Sequence, residues 1–250
     1  MPLLEKLLPK ACTAGKTLVL PEGQDPRVMH AAARIAAQGI ANVKVLATTD
    51  ERRESARGVH FDGLNVEMID HLQSPWVEQF AHRLQELRAH KGMTLEKARE
   101  TVADRLYFGN LMLREGLADG LVAGSIAATS DMVRSAFHCI GTASEVKIAS
   151  SCFVMDLAQP TPSGREVLLY ADSGVNPNPT AEQLVDIAIA TIRTKRALIG
   201  GEPRVAFLSF STKGSARHEL VEKMVKAGAT RIGASASVKI VTGKKATEGY

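Results

Sequence analysis

Residues 203–217, PRVAFLSFSTKGSAR, set a short apolar run at 205–208 ahead of small hydroxyls, a lysine and a glycine. The run predicts a buried strand. Ser209, Ser211, Thr212, Lys213, Gly214 and Ser215 follow it, and a helix pattern begins at Ala216. Hydroxyls, one cation and a glycine at the C-terminal end of a strand suit an anion such as phosphate. Backbone N–H groups and the helix N-terminus would face it. The same hydroxyls can instead cap the following helix. They are more than one cap uses, and ligands of open α/β sheets sit beyond the carboxyl ends of strands, so the anion is the preferred partner.

A second strand end, GLVAGSIAATS at 120–130, puts Gly124 and Ser125 where a ligand can approach the backbone closely. Strand–Gly–Ser–helix is equally ordinary packing chemistry. Arg134 then falls on the first turn of the next helix, where a cation opposes the positive helix end and a bound anion would relieve the conflict. Arg88, in ELRAHKG, complements the negative end of its own helix, which explains it without a ligand; His90 and Lys91 share that explanation. Glu22, Asp25 and Arg27 of PEGQDPR are expected to form a salt-bridge cluster that shapes the loop rather than to catalyse. Asp172 and Asn176 of ADSGVNPNPT fit turn chemistry as well as ligand binding.

The 7 histidines show neither HxH nor HxxxH spacing, so no metal site is expected. There is no GxSxG and no cysteine in a nucleophile loop. Gly15-Lys16-Thr17 ends like a Walker P-loop, but Lys10 stands where its first glycine belongs.

These residues need a scaffold, and strand-like and helix-like segments alternate to supply one. Strands are predicted at 17–20, 43–47, 66–69 and 120–123. Helices are predicted at 28–38 (closed by Gly39), at 76–90, from an N-cap at Thr94 to about 115, and at 130–140. Leu3, Leu4, Leu7 and Leu8 are spaced as in an amphipathic first helix. Repeated βα units imply an α/β fold, a parallel sheet with helices on its faces. A second block starts near 146, with strands at 149–155 and 167–170 joined by a turn at 160–165. A loop at 171–180 leads to a helix at 181–198 that Thr180 and Gln183 open as a capping box. The expected division is 1–145, 146–227, and a tail of different texture at 228–250.

The 250 residues are 45% hydrophobic and 23% charged, as in soluble globular proteins of one or two α/β domains. The net charge of +4 is spread along the chain and only 4% of residues are aromatic, which argues against nucleic acid and fits a small anionic substrate. No apolar run approaches the ~18–20 residues of a membrane span, and residues 1–16 show no long apolar core followed by a small-residue cleavage site, so a secretory signal is not expected. Cys12, Cys139 and Cys152 form no CxxC, so reduced thiols in a cytoplasmic protein are expected.

LPEGQDPRV, ELRAHKGMTLEKARE, ADGLVAGSIAATSDMVRSAF, ASSCFVMDL, YADSGVNPNPTAEQL and EPRVAFLSFSTKGSA occur in this order. Over about 1–227 the chain resembles the phosphate acetyltransferase (phosphotransacetylase) family. The resemblance implies a homodimer of two-domain α/β chains with an active-site cleft between the domains. It implies acetyl transfer between coenzyme A and inorganic phosphate, acetyl-CoA as a substrate, and no metal. It also implies that Arg88 and Arg134 serve substrate binding and catalysis, one holding phosphate or acyl oxygen and the other coenzyme A, and that 209–215 lines the cleft.

The family carries, further along, an Asp-Leu-Ser-Arg-Gly motif and an aspartate proposed as the base toward the thiol, which this chain lacks. Residues 227–250, AGATRIGASASVKIVTGKKATEGY, instead resemble the C-terminus of deoxyribose-phosphate aldolase, with Gly233, Ala234, Ser235 and Tyr250 matching. The aldolase Schiff-base lysine has no counterpart, so aldolase activity is not expected. The expectation is a truncated second domain, which either supports acetyl transfer or leaves a fragment that only binds phosphate or coenzyme A, or dimerises.

Overall fold

Val19 and Leu20 are neighbours in one strand and both are buried, against different sets of side chains. Successive residues of a strand face opposite sides of its sheet, so a sheet covered on both faces buries both. The computed structural model describes residues 2–143, 146–162, 164, 166–211, 215–229 and 237–242. It divides into a unit of residues 8–141 and a unit of residues 1–7 with 142–250.

The first unit is built on a four-stranded sheet of β1 (Thr17–Leu20), β2 (Asn42–Leu46), β3 (Val66–Ile69) and β4 (Gly120–Leu121), in the order β3-β2-β1-β4. Every pairing is parallel. Leu20, Val43 and Val45 pack with Met29 and Ala32 of α2 (Pro26–Ala37) on one face. Val19 and Leu46 pack on the other face with Phe80 and Leu84 of α4 (Val77–Arg88), Val102 of α5 (Leu95–Val102), and Phe108, Leu111 and Met112 of α6 (Arg105–Arg114). α7 (Thr129–Cys139) adds Cys139 to that face.

Local chemistry sets the boundaries. Asp25 caps α2 by accepting from Arg27 N. Thr48 and Glu51 form a capping box on α3 (Thr49–Ser55), a helix the sequence pattern did not predict. Thr94 caps α5 as expected. The single helix expected from Thr94 to about 115 is two, because Asp104 takes an extended conformation and its carboxylate accepts from Leu106 N at 2.8 Å and Tyr107 N at 3.3 Å. That cap starts α6 and puts Tyr107 in its first turn. The helix expected at 76–90 ends at Arg88. A 3₁₀ turn at Ala89–Lys91 follows, closed by Gly92 at φ 74°, where a glycine costs nothing.

In the second unit, β5 (Cys152–Asp156) and β6 (Val167–Ala171) pair antiparallel, so not every strand of the chain is in a parallel βα unit. α1 (Pro2–Ala14) starts here, where Leu3 N donates to Asp156 Oδ2 at 3.2 Å. α8 (Ala181–Leu198) is capped by the Thr180–Gln183 box, as the sequence predicts. β7 (Arg204–Ser209) runs parallel to β8 (Ser237–Thr242). α9 (Glu219–Ala229) packs with α8 over Phe207 and Ala188.

Candidate functional site

Glu22, in the loop after β1, is 2% exposed. Its Oε2 accepts from Gly124 N at 2.6 Å and Ser125 N at 2.8 Å, and its Oε1 accepts from Ile126 N at 2.7 Å and Ala127 N at 2.6 Å. Burial opposes the carboxylate, but the four backbone donors outweigh it and hold Glu22 below the usual carboxylate range. The backbone at Gly124 and Ser125, expected to be open to a ligand, is thus occupied by a side chain of the same unit. Gly124 itself sits at φ 105°, which favours glycine.

Of the expected Glu22–Asp25–Arg27 cluster, Asp25 and Arg27 form an ion pair, with Arg27 Nη2 2.6 Å from Asp25 Oδ2, while Glu22 is taken by the backbone amides instead. The Arg27 side chain first, and then the Ser125 hydroxyl, hold the Asp25 carboxyl well below its usual range. Arg27 Nη2 also donates to Ser125 O at 3.0 Å, which joins the β1 loop to the β4 loop. Arg105 fixes the β1 loop from a third side. It donates to Gln24 Oε1, to Pro21 O at 3.4 Å and to Glu51 Oε1 at 2.7 Å.

A cavity of about 470 Å³ lies beside this network, lined by Glu22, Arg105, Tyr107, Ala127, Asp131 and Arg134 among others. Arg134 is therefore placed on a cavity wall. Its expected position on the first turn of α7 needs correction: the helix starts at Thr129, which puts Arg134 in the second turn. Asp131 pairs with it at 2.8 Å, with both side chains more than half exposed, so the conflict with the helix end is met inside the chain.

Arg88, at the end of α4, has a buried Nε with no hydrogen-bond partner among the described residues. Complementing its helix end does not account for that atom, since a buried donor without an acceptor is costly. Arg88 and Arg134 both act electrostatically on His138. Burial first, and then these two guanidinium groups, push the His138 imidazole pKa down. Tyr107 Oη lies 2.8 Å from His138 Nδ1. Burial pushes the phenol up, so both partners are neutral near pH 7. Tyr107 and His138 were not singled out as a pair in the sequence. The only signal was Asp104 as a helix cap, which would have placed Tyr107 in a first turn.

Ser209, Ser211 and Ser215 belong to the other unit, and Thr212, Lys213 and Gly214 lie outside the described residues, as do Gly233, Ala234, Ser235 and Tyr250. Ser211 is fully buried and its Oγ accepts from Ala216 N at 3.2 Å; Ser209 Oγ accepts from Ser211 N at 3.3 Å. These hydroxyls brace the loop's own backbone. The helix expected from Ala216 starts at Glu219, because His218 O accepts from Val221 N and Glu222 N and His218 Nδ1 accepts from Leu220 N. Asp172 is a turn residue, accepting from the backbone of Gly174, Val175 and Asn176. Among the described residues, no group of three or more His, Cys, Asp or Glu side chains could hold a metal ion, and no helix is long and apolar enough to cross a membrane.

Known proteins agree on the family. The family model described as phosphate acetyl/butaryl transferase matches residues 2–242. A phosphate acetyltransferase of Thermoanaerobacterium thermosaccharolyticum is 46% identical over 224 residues, covering 90% of this chain and 68% of that protein. One from Acetivibrio thermocellus is 41% identical over 227 residues, covering 91% and 68%. A phosphotransacetylase structure from Streptococcus pyogenes superposes with a TM-score of 0.83 at 31% identity, covering 95% of this chain and 71% of that one. The EutD phosphotransacetylase from Staphylococcus aureus gives 0.78 at 31% identity, covering 91% and 66%. The chain spans about two thirds of the length of these relatives. With a match over nearly its whole length, and an α/β fold to go with it, the chain belongs to the phosphate acetyl/butaryl transferase family of acyltransferases.

Proposed function

We propose that this chain takes part in acetyl transfer between coenzyme A and inorganic phosphate, with acetyl-CoA and phosphate giving acetyl phosphate and coenzyme A. The single observation that carries this is Arg134 on the wall of the cavity; beside it stand the Arg88 Nε, buried without a partner among the described residues, and the His138 imidazole on which both guanidinium groups act. A guanidinium on a cavity wall, with a second one acting on the same imidazole, suits an oxyanion. Phosphate oxygens and the carbonyl oxygen of the thioester both gain from such cations as charge builds in the transition state. Arg88 and Arg134 are the catalytic pair in this reading; Gly124 and Ser125 act by shaping the loop through Glu22. The loop of Ser209, Ser211, Thr212, Lys213, Gly214 and Ser215 belongs to this reading as a substrate-binding segment, with the Ser209 and Ser211 hydroxyls bracing its backbone.

The chemistry also needs a base for the coenzyme A thiol. Glu22, Asp104 and Asp131 line the cavity, and each is engaged: by four amides, by the cap of α6 and by Arg134. That favours a second reading, in which the chain binds phosphate or coenzyme A without turnover. A homodimer, which follows the family resemblance, belongs to the same proposal, as do the division near 145, read from the strand and helix pattern, and a cytoplasmic location, read from the unpaired cysteines.

Thiol release from acetyl-CoA in the presence of phosphate decides between the readings. Turnover that Arg134→Ala abolishes supports transfer. Coenzyme A binding without turnover supports the second reading, and neither binding nor turnover sinks both.

A further inference from the structure

Three helices of the first unit contribute here: Arg88 closes α4, Tyr107 lies in the first turn of α6, and Arg134 and His138 stand on α7; both guanidinium groups act electrostatically on the His138 imidazole. Arg134 and His138 are four residues apart and so share a helix face. Tyr107 reaches both ways, lining the cavity while its hydroxyl meets His138 Nδ1 at 2.8 Å. Nothing in helix packing requires a histidine within the field of two arginines. As a cation it would repel both, so what it contributes there is direction rather than charge.

We propose that His138, oriented by Tyr107, is a further substrate-contacting residue, its Nε2–H donating to an oxygen of the phosphate or acyl phosphate held by Arg88 and Arg134. This rests on the phosphate site proposed above. With the Tyr107 hydroxyl as the donor to Nδ1, the tautomer this proposal requires, the ring proton sits on Nε2. The imidazole is neutral because burial and both guanidinium groups oppose its protonation. No hydrogen bond to Nε2 is made among the described residues, and His138 stands one helical turn from Arg134 and against Tyr107, both of which line the cavity. Tyr107 is then a positioning residue, acting through His138 by fixing its tautomer. A neutral donor adds a directional bond without further stabilising the bound anion as a ground-state ion pair, which leaves room for stronger interaction as charge develops.

The test is titration of the full chain, labelled with ¹⁵N-histidine, with inorganic phosphate, His138 being assigned by its loss in His138→Gln. The expected spectrum shows the Nε2–H tautomer, with the Nε2 signal moving saturably as phosphate is added. His138→Phe should weaken phosphate binding about tenfold, the scale of one hydrogen bond to a charged acceptor. His138→Gln, whose amide can donate, should recover most of it. Tyr107→Phe should leave mixed tautomers and an intermediate affinity. Saturable phosphate binding that Arg134→Ala abolishes, but that leaves the His138 signal unmoved or His138→Phe unimpaired, overturns this inference and spares the phosphate site. Absence of phosphate binding by the unaltered chain overturns both. If His138→Phe fails to fold, the titration of the unaltered chain still decides.

Discussion

Glu22 Oε2 and the backbone nitrogen of Gly124 lie 2.6 Å apart across 102 residues of sequence. The carboxylate fills a ring of amides that would otherwise suit a phosphate, and in doing so ties the loop after β1 to the loop that leads into α7. Arg134 rides on that helix. Glu22 therefore sets where the site's cation stands, without touching the cavity's contents through its amide-bound oxygens.

Replacing Glu22 by Gln keeps the shape but puts an NH₂ against two amide donors. We expect a loss of about 2–4 kcal/mol, since buried donors are left facing a donor. Urea unfolding at pH 7 measures it. An unchanged midpoint would show that the amide ring does not depend on the charge.

The same pair predicts a pH dependence. Glu22 is held below its ordinary value, so the folded carboxyl titrates below the unfolded value of about 4.3. Its contribution is complete above the unfolded value and fades as pH falls through the folded one. Asp25, held low by Arg27 and Ser125, acts with the same sign. Wild-type stability should fall between about pH 5 and pH 3, and Glu22→Gln should fall less steeply.

Arg134 and Asp131 form an exposed pair, and exposed pairs contribute little to stability. Arg134→Ala should leave the melting temperature within about 3 °C of wild type. Phosphate-dependent thiol release should drop at least about a hundredfold, the cost of losing a fixed cation. Arg88→Lys should not rescue Arg88 function, because an ammonium cannot reproduce the planar guanidinium fork. Retained turnover in either variant would remove that arginine from the site.

Two glycines distinguish backbone from side-chain crowding. A Cβ on Gly23 would lie 2.6 Å from Leu46 O, a backbone atom that cannot step aside. A Cβ on Gly109 would lie 2.7 Å from Leu121 Cδ1, the far end of a side chain that can rotate. Gly23→Ala should cost about 2–3 kcal/mol and Gly109→Ala about 1 kcal/mol, by chemical denaturation. The reverse order would contradict the packing described for the β1 loop.

Cys139 is buried and its thiol is pushed up to about 12, chiefly by burial. Cys12 is exposed. Iodoacetamide at pH 8 should alkylate native Cys12 and spare Cys139, while denaturant should make both reactive; peptide mass spectrometry reads the ratio.

Much of the scaffold was written in local sequence. Strands at 17–20 and 66–69, the α8 capping box at Thr180 and the α5 cap at Thr94 follow from apolar runs and hydroxyl caps, which act within a few residues. The Asp25–Arg27 pair is two residues apart and equally local. Asp104 shows the limit of pattern reading: its cap was present in the sequence, yet helical periodicity ran across it and concealed the break between α5 and α6.

What the sequence determined by itself is the alternation of strand and helix and the family motifs that hold Arg88 and Arg134. Tertiary structure alone decided what those residues meet. It filled the Gly124–Ala127 amides with Glu22, set Tyr107 against His138 across 31 residues, and left the Arg88 Nε without a partner among the described residues. The physical reason is range. Caps and periodicity depend on neighbours a turn away, whereas a carboxylate finds its donors, and an imidazole its tautomer, only where the folded backbone brings distant segments within hydrogen-bond reach.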